Sequence, residues 1–387
     1  MRRAVFFHRT GTRSGLCNRP VQPSDLKDFL DRTRDAAKIV VVDLGFLGDT
    51  IHLVPALWEI KDHYPKAELH VVTSPVGCEA LAMAPCVDRA RPFPLGPPSP
   101  KWWEHWGLLR KLRRERFDAA FNFSGADRSV LVTAILGAKQ NVVYQGARTH
   151  FWQRWLIKNW IPRQEFAGPV YEARRQMLAQ CGFDLKPARF DLQPPSADRA
   201  WARETIPAGP VHLSLSASFA LKEWPLKNSV ALARRLFAQF PERNLVASAA
   251  PNPREQARLE QFRREVADGR LLALKESLSV TRLAAMLERC AAHMGPDSGV
   301  LHLAAALKVP TVAIFRRYAD MAHWLPQGPG HAHLDAPCPC MESKNAPCAA
   351  KGEAACLGGI SAESVGQELG RVMAERTAAG GQTQNKS

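Results

Sequence analysis

The chain has 387 residues, 46% of them apolar, and carries 52 Lys and Arg against 37 Asp and Glu, a formal charge of +15. That length fits two domains with real hydrophobic cores, and the surplus charge suits nucleic acid, an anionic membrane face or phosphorylated substrates without choosing among them. No apolar run reaches the roughly 18 residues that a membrane span needs, and Ala4-Val5-Phe6-Phe7 is too short for a signal-peptide core, so a cytoplasmic protein is expected.

In chain order, residues 1–36 are basic and polar, with one helix expected over 24–34, and read as an extension to the fold. Residues 38–44 form a β-branched run too continuous for a half-exposed strand, so it reads as buried and parallel. It leads into Gly45-Phe46-Leu47-Gly48-Asp49-Thr50-Ile51-His52, where the glycines let the chain turn out of the sheet and Asp49 falls at the start of a helix. There Asp49 is either a helix N-cap or a carboxylate offered to a cleft. A strand over 68–73, a short helix over 78–83 and a Pro-rich connection over 92–100 follow. Residues 102–116 make a helix with a crowded basic face of Arg110, Lys111, Arg113, Arg114 and Arg116, most simply a solvated one. A strand over 118–123, a helix over 127–136 and a strand over 141–144 continue an alternation that implies a parallel sheet covered on both faces. Residues 148–160 then set Trp152, Trp155 and Leu156 on one helical face among Arg148, Arg154 and Lys158, which fits either a membrane interface or an aromatic stripe buried against the sheet.

Residues 184–209, rich in Pro, Asp and Arg, read as a linker. A second alternating series follows, with strands over 211–216, 244–248 and 271–274 and helices over 227–240, 254–266 and 280–290. The first of these strands runs on into Ser214-Leu215-Ser216-Ala217-Ser218, with Lys222-Glu223-Trp224-Pro225 just beyond, where open α/β sheets bind ligands. Lys222 is a point charge suited to phosphate. The series culminates in Met294-Gly295-Pro296-Asp297-Ser298-Gly299-Val300-Leu301-His302, which reads as strand, tight turn and helix, before another β-branched strand at 309–315. The free N–H groups of Ser298, Gly299 and Val300 would cradle an anion at that helix start, unless Asp297 or Ser298 is simply an N-cap. His302 lies one turn on, as a ligand or a packed polar residue. Two turns of this kind in one chain, about 250 residues apart, suggest two similar α/β domains.

The residues resemble the ADP-heptose:lipopolysaccharide heptosyltransferases, inverting glycosyltransferases of family nine built from two facing Rossmann-like domains with parallel sheets in the B-type arrangement. The resemblance spans about 38–360 and rests on Gly48-Asp49 before His52 and Pro55-Ala56-Leu57, on Lys222-Glu223-Trp224-Pro225, and on Gly295-Pro296-Asp297-Ser298-Gly299 with His302-Leu303-Ala304-Ala305-Ala306. It implies Asp49 as general base and Gly48 and His52 as acceptor-side turn residues. It implies Ser216, Ser218, Lys222, Asp297, Ser298, Gly299 and His302 as donor ligands, with Glu255 for the nucleoside ribose. The domains expected are an extension at 1–36, an acceptor-binding domain at 37–185, a nucleotide-sugar-binding domain at 205–360, and a helix with a disordered tail at 361–387. The pattern departs at Asp43-Leu44-Gly45-Phe46, where the family commonly has a basic start, and at Ala217-Ser218, where it often has a Thr pair.

Expelling a nucleoside diphosphate from an anomeric carbon needs a base for the acceptor hydroxyl and donors for the leaving phosphates. No Asp-X-Asp motif is present, so no cofactor is expected for catalysis. Cys338, Cys340, Cys348 and Cys356 crowd into 19 residues, either four ordinary thiols or a structural metal site. The expected partners are a nucleoside-diphosphate sugar, a lipid-linked saccharide and the anionic inner face of the inner membrane, touched peripherally, with no nucleic acid. The rival readings are transfer to a protein hydroxyl on the same fold and a nucleotide-binding regulator without catalysis. Only the enzyme has use for a carboxylate at Asp49.

Overall fold

The computed structural model describes residues 26, 28–94, 105–146, 150–162, 164–166, 168–318, 320–337 and 354–384. The first domain alternates β1 (Lys38–Val42), α2 (Leu47–His63), β2 (Glu68–Thr73), α3 (Pro75–Leu81), β3 (Arg89–Pro92), α4 (Trp106–Arg114), β4 (Ala119–Asn122), α5 (Asp127–Leu136), β5 (Gln140–Tyr144), α6 (Phe151–Leu156), β6 (Asn159–Ile161) and α7 (Val170–Gln180), after a short α1 (Phe29–Thr33). Its strands are all parallel, in the order β3-β2-β1-β4-β5-β6. Continuous apolar strands are what such a sheet requires, because both faces are buried. Ile39, Val41, Leu69, Val71 and Phe121 pack under the helices on the α2 side, while Val40, Val42, Val72 and Ala120 pack under α4 and α5.

The second domain repeats the plan with β7 (Val211–Ser214), α9 (Leu226–Gln239), β8 (Leu245–Ser248), α10 (Pro253–Val266), β9 (Leu271–Ala273), α11 (Val280–Arg289), β10 (Ala292–Pro296), α12 (Gly299–Ala306), β11 (Thr311–Arg317) and β12 (His331–Pro337), in the order β12-β11-β10-β7-β8-β9. Each sheet reverses direction once, between β1 and β4 and between β7 and β10, and ligands of doubly wound sheets bind at such switch points. The last helix, α13 (Ala362–Gln384), packs against α9 and β10–β12 and runs on into the part of 361–387 expected as a disordered tail.

Two further expectations change. Residues 26 and 28–36 are not a mere extension: Leu26 and Phe29 are buried in the first core, and Phe29 meets Phe121 edge-on at 5.4 Å. Ten residues of the expected linker are helix, α8 (Ser196–Thr205), whose Arg199 holds Glu288 of α11 with two bonds of 2.8 Å. Residues before it run along the first domain, where Trp58 donates its indole N–H to Phe190 O and Arg189 stacks 4.0 Å over the Trp58 ring. The domains also meet directly. Glu79 on α3 accepts the Val280 N–H that opens α11 (2.8 Å), and α2 packs on α12 at a point where a Cβ on Gly299 would lie 2.7 Å from Leu47 Cβ and one on Gly48 2.8 Å from His302.

Helix α7 is pinned to α2 by a buried ion pair. Arg175 donates Nε and Nη2 to Glu59 Oε1 at 2.9 and 2.7 Å, and both side chains are 6% exposed. Removing one partner of such a pair leaves an uncompensated buried charge. Glu59→Ala is therefore expected to lower stability by about 3–5 kcal/mol, read as a fall in the urea midpoint of first-domain unfolding; a midpoint within experimental error of wild type would refute this.

Candidate active site

The chain leaves β1 at Asp43, beside the first switch point. Asp43 is buried, and burial pushes its carboxyl up while Arg174 pulls it back. Asp49 lies in the first turn of α2 but is not the N-cap, a place taken by Phe46. Its Oδ2 accepts the Phe46 N–H at 3.0 Å, so half of the carboxylate closes the helix start. The other oxygen faces Arg174 Nη2 at 3.8 Å, and the side chain keeps 29% of its surface exposed. Arg174 also donates Nη1 to the Asp49 carbonyl and comes within 3.9 Å of Asp43 Oδ2. One nearly buried guanidinium thus holds the main chain of Asp49 and faces two carboxylates. No sequence signal marked Arg174, which reaches Asp49 from 125 residues away.

Across the cleft, the segment after β7 is held down by α10. Arg258 donates Nε to Leu215 O at 2.9 Å, Arg254 donates Nη2 to Ala217 O at 2.6 Å, and the buried Glu223 accepts the Ala217 N–H at 3.0 Å while pairing with Arg254. Held in this way, the segment leaves Ser218 exposed and Ser216 Oγ buried, with no hydrogen-bond partner among the described residues. It also carries Lys222 to Asp297, Nζ to Oδ2 at 2.6 Å, where Tyr318 donates its hydroxyl at 3.4 Å. Burial works to raise Asp297, but the His302 ring at 3.7 Å from Oδ1 and the Lys222 charge outweigh it and hold the group at about 2, an anion. Asp297 is therefore committed to Lys222 rather than to capping. Ser298 occupies the N-cap position of α12 without making a side-chain cap, and its Oγ is also buried and unpartnered among the described residues. The first-turn amides from Gly299 onward have no intrahelical acceptor. Glu255 lies in the first turn of α10, beyond β8, with its carboxylate engaged by Asn252 Nδ2 at 2.9 Å and the Ala250 N–H at 3.2 Å.

The two sides are joined by histidines. His52 Nε2 and His302 Nδ1 lie 3.1 Å apart and are buried, so His302 links an α2 side chain to Asp297 and through it to Lys222. Tyr171 stacks on the His52 ring at 6.0 Å, and Trp324, from a 3-10 turn over Met321–Trp324, meets it edge-on at 5.5 Å. Arg254, Arg258, Tyr318 and Trp324 were as silent in the sequence as Arg174. The expected aromatic helix divides: Trp160 is buried in β6, whereas Trp155 is 87% exposed on α6. Of the four clustered cysteines, Cys338, Cys340 and Cys348 lie outside the described residues, and Cys356 is half-buried in a 3-10 turn (Ala355–Gly359). Among the described residues no three His, Cys, Asp or Glu side chains form a metal-holding group.

The arrangement offers a half-buried carboxylate opposite a cation, free helix amides and two hydroxyls without a partner among the described residues. Comparison with known proteins identifies a family. The family model described as Glycosyltransferase family 9 (heptosyltransferase) matches residues 105–353. The chain is 26% identical to lipopolysaccharide heptosyltransferase 2 of Salmonella typhimurium over 297 residues, covering 72% of this chain and 82% of the relative. It is 21% identical to the lipopolysaccharide core heptosyltransferase OpsX of Haemophilus influenzae over 285 residues, 73% and 80% of the two. Its fold matches the solved E. coli ADP-heptose lps heptosyltransferase II with a TM-score of 0.68 at 18% identity, covering 88% of this chain and 99% of that one.

Three histidines tie stability to pH. Burial, then the His302 and Arg174 charges, holds His52 well below the usual imidazole range. Burial takes His212 down to about 3 and, with His212 beside it, lowers His293. The folded chain keeps these rings neutral while the unfolded chain protonates them near pH 6.5, so stability is complete above that value and falls as pH drops below it. Each ring contributes up to about 1.4 kcal/mol per pH unit. Urea midpoints measured from pH 8 to 5 are expected to fall below pH 6.5; a flat profile would contradict neutral burial.

Proposed function

We propose, on the premise that the chain belongs to glycosyltransferase family 9, the heptosyltransferases, and is a glycosyltransferase, that it moves a heptose from ADP-heptose to a saccharide of the lipopolysaccharide core, inverting the anomeric carbon. The observation that carries this reading is the opposition of Asp49, at the first switch point, to the Lys222–Asp297 pair and the α12 amides at the second. ADP-heptose is named for the E. coli structure of this fold, and the core acceptor for the curated relatives.

In this mechanism Asp49 takes the acceptor hydroxyl proton as the oxygen bonds to the anomeric carbon, and the carbon–oxygen bond to the diphosphate breaks with its electron pair leaving on ADP. Lys222 and the amides of Ser298, Gly299 and Val300 meet that charge, with Ser216 and Ser218 as further donors. Arg174 fixes the backbone of Asp49 so that its free oxygen keeps one orientation. Glu255 shapes the loop on the nucleoside side. Asp49→Asn should lower kcat by about 10²–10⁴ and leave ADP affinity unchanged, whereas Lys222→Gln should weaken ADP by about 1.5–3 kcal/mol and adenosine hardly at all. Steady-state kinetics and calorimetry with ADP-heptose, ADP and adenosine test both; normal turnover in the Asp49 variant removes the mechanism.

The acceptor side is proposed to meet an anionic membrane peripherally on the inner face. No helix among the described residues is long and apolar enough to cross a membrane. Helices α4, α5 and α6 share the sheet face away from α2 and present the exposed Trp106, Leu131, Trp155 and Leu156 beside Arg110, Lys111, Arg113 and Arg114. Lys158, part of the sequence pattern, donates its ammonium to Lys139 O at 2.5 Å and belongs to the edge of that face. Each basic residue near an anionic surface adds about 1 kcal/mol, screened as the Debye length shrinks. Trp155→Ser with Arg110→Glu and Arg114→Glu is expected to abolish sedimentation with phosphatidylglycerol vesicles at low salt and to raise KM for an embedded acceptor but not for the donor. Unchanged sedimentation would exclude this face.

A further inference from the structure

At the opposite end of the second sheet, where β7 and β10 begin, an open cavity of about 390 Å³ is lined by Arg243, Arg289 and Arg376 together with Glu288 and Cys290. Each arginine is oriented by one bond to a carbonyl: Arg243 Nη1 to Gly209 O at 2.5 Å, Arg289 Nε to Ile206 O at 3.0 Å and Arg376 Nη1 to Cys290 O at 2.9 Å. None of the three has a carboxylate partner among the described residues, and Glu288, the one acid of the lining, is taken by both bonds from Arg199. The C-termini of α9 and α11 point to this end and account for about half a negative charge each, so the cavity retains roughly two positive charges. Structural capping alone would not gather three guanidinium groups around one concavity.

We propose that this cavity is a second anion site that takes a phosphate-class ligand, such as a phosphomonoester or a diphosphate. Planar guanidinium groups held by one edge leave the remaining N–H groups to bind phosphate oxygens in pairs. Cys290 takes no covalent part, since burial pushes its thiol up to about 12. The five residues of β10 separate the cavity from Asp297 by about 17 Å, so its ligand does not compete with a donor at the α12 turn.

Calorimetry with inorganic pyrophosphate, at low ionic strength and with ADP already saturating, tests the site on the full chain. One further binding event is expected. It should weaken by about tenfold or more in Arg289→Gln and in Arg376→Gln, while ADP binds both variants as it binds wild type. Arg376 is exposed on α13, so its variant keeps the test open if the Arg289 variant folds poorly. Loss of the pyrophosphate signal on ADP saturation, or equal pyrophosphate binding by wild type and variants, overturns the proposal. Flotation with phosphatidic acid vesicles separates the two sources of such a group: variant-sensitive flotation assigns the site to a lipid headgroup, and variant-insensitive flotation with variant-sensitive pyrophosphate binding assigns it to a soluble phosphate.

Discussion

Two helix N-termini meet across the cleft, and the active-site geometry depends on how closely they approach. Helices α2 and α12 touch through glycines, since a side chain at Gly48 would strike His302 and one at Gly299 would strike Leu47. Each helix end carries about half a positive charge, so the contact is repulsive until acids offset it. Asp43, Asp49 and Asp297 are those acids, with Arg174 and Lys222 distributed among them. Burial pushes the Asp43 carboxyl up, and Arg174 beside it pulls the other way. Arg174 is the cation that Asp43 faces, at 3.9 Å.

Doubly wound topology explains why the reactive groups come together from such distant places. The chain leaving β1, β7 and β10, strands that flank the two switch points, carries Asp49, Lys222 and Asp297. With the same order in both sheets, the proposed reaction would draw its base from one domain and its cations from the other, with His52 and His302 as the seam between them. Beneath the second turn His212 and His293 face each other at 2.8 Å inside the sheet, where neutral rings can share a single hydrogen without a buried charge. A side chain on Gly295 would come within 3.0 Å of His293, which shares its face of β10, the strand that delivers Asp297.

The strands and both turns were legible because their causes are local: continuous β-branched runs need two buried faces, and glycine beside a helix start needs no distant partner. What a partner decides was not legible. His302 was equally a ligand or a packed residue until His52, 250 positions away, came within hydrogen-bond reach. Arg174 and Arg175 are adjacent in an ordinary helix, yet one faces the cleft and the other is buried against Glu59. The basic stretch around Trp155 could be read as core or as surface because six residues of helix hold too few turns to set a face. Residues 184–209 looked like linker from composition, although Trp201 and Ala202 have a surface on α11 to pack against.

The closeness of α2 to α12 also limits where a diphosphate can lie in the proposed reaction. Leu47 already fills the space against Gly299 Cα, leaving no room for a phosphate between the two helices. An anion reaching the free amides of the turn must therefore approach from the side of the segment 215–224, where Lys222 stands with only one of its three ammonium hydrogens committed to Asp297. Glu223, Arg254 and Arg258 acquire their importance here. They touch no reacting group, but by clamping both ends of that segment to α10 they decide how far Lys222 reaches. The pair Lys222–Asp297 then acts as a swivel: the carboxylate holds the ammonium at the mouth of the turn, and the hydrogens it leaves free face the place where the leaving charge develops.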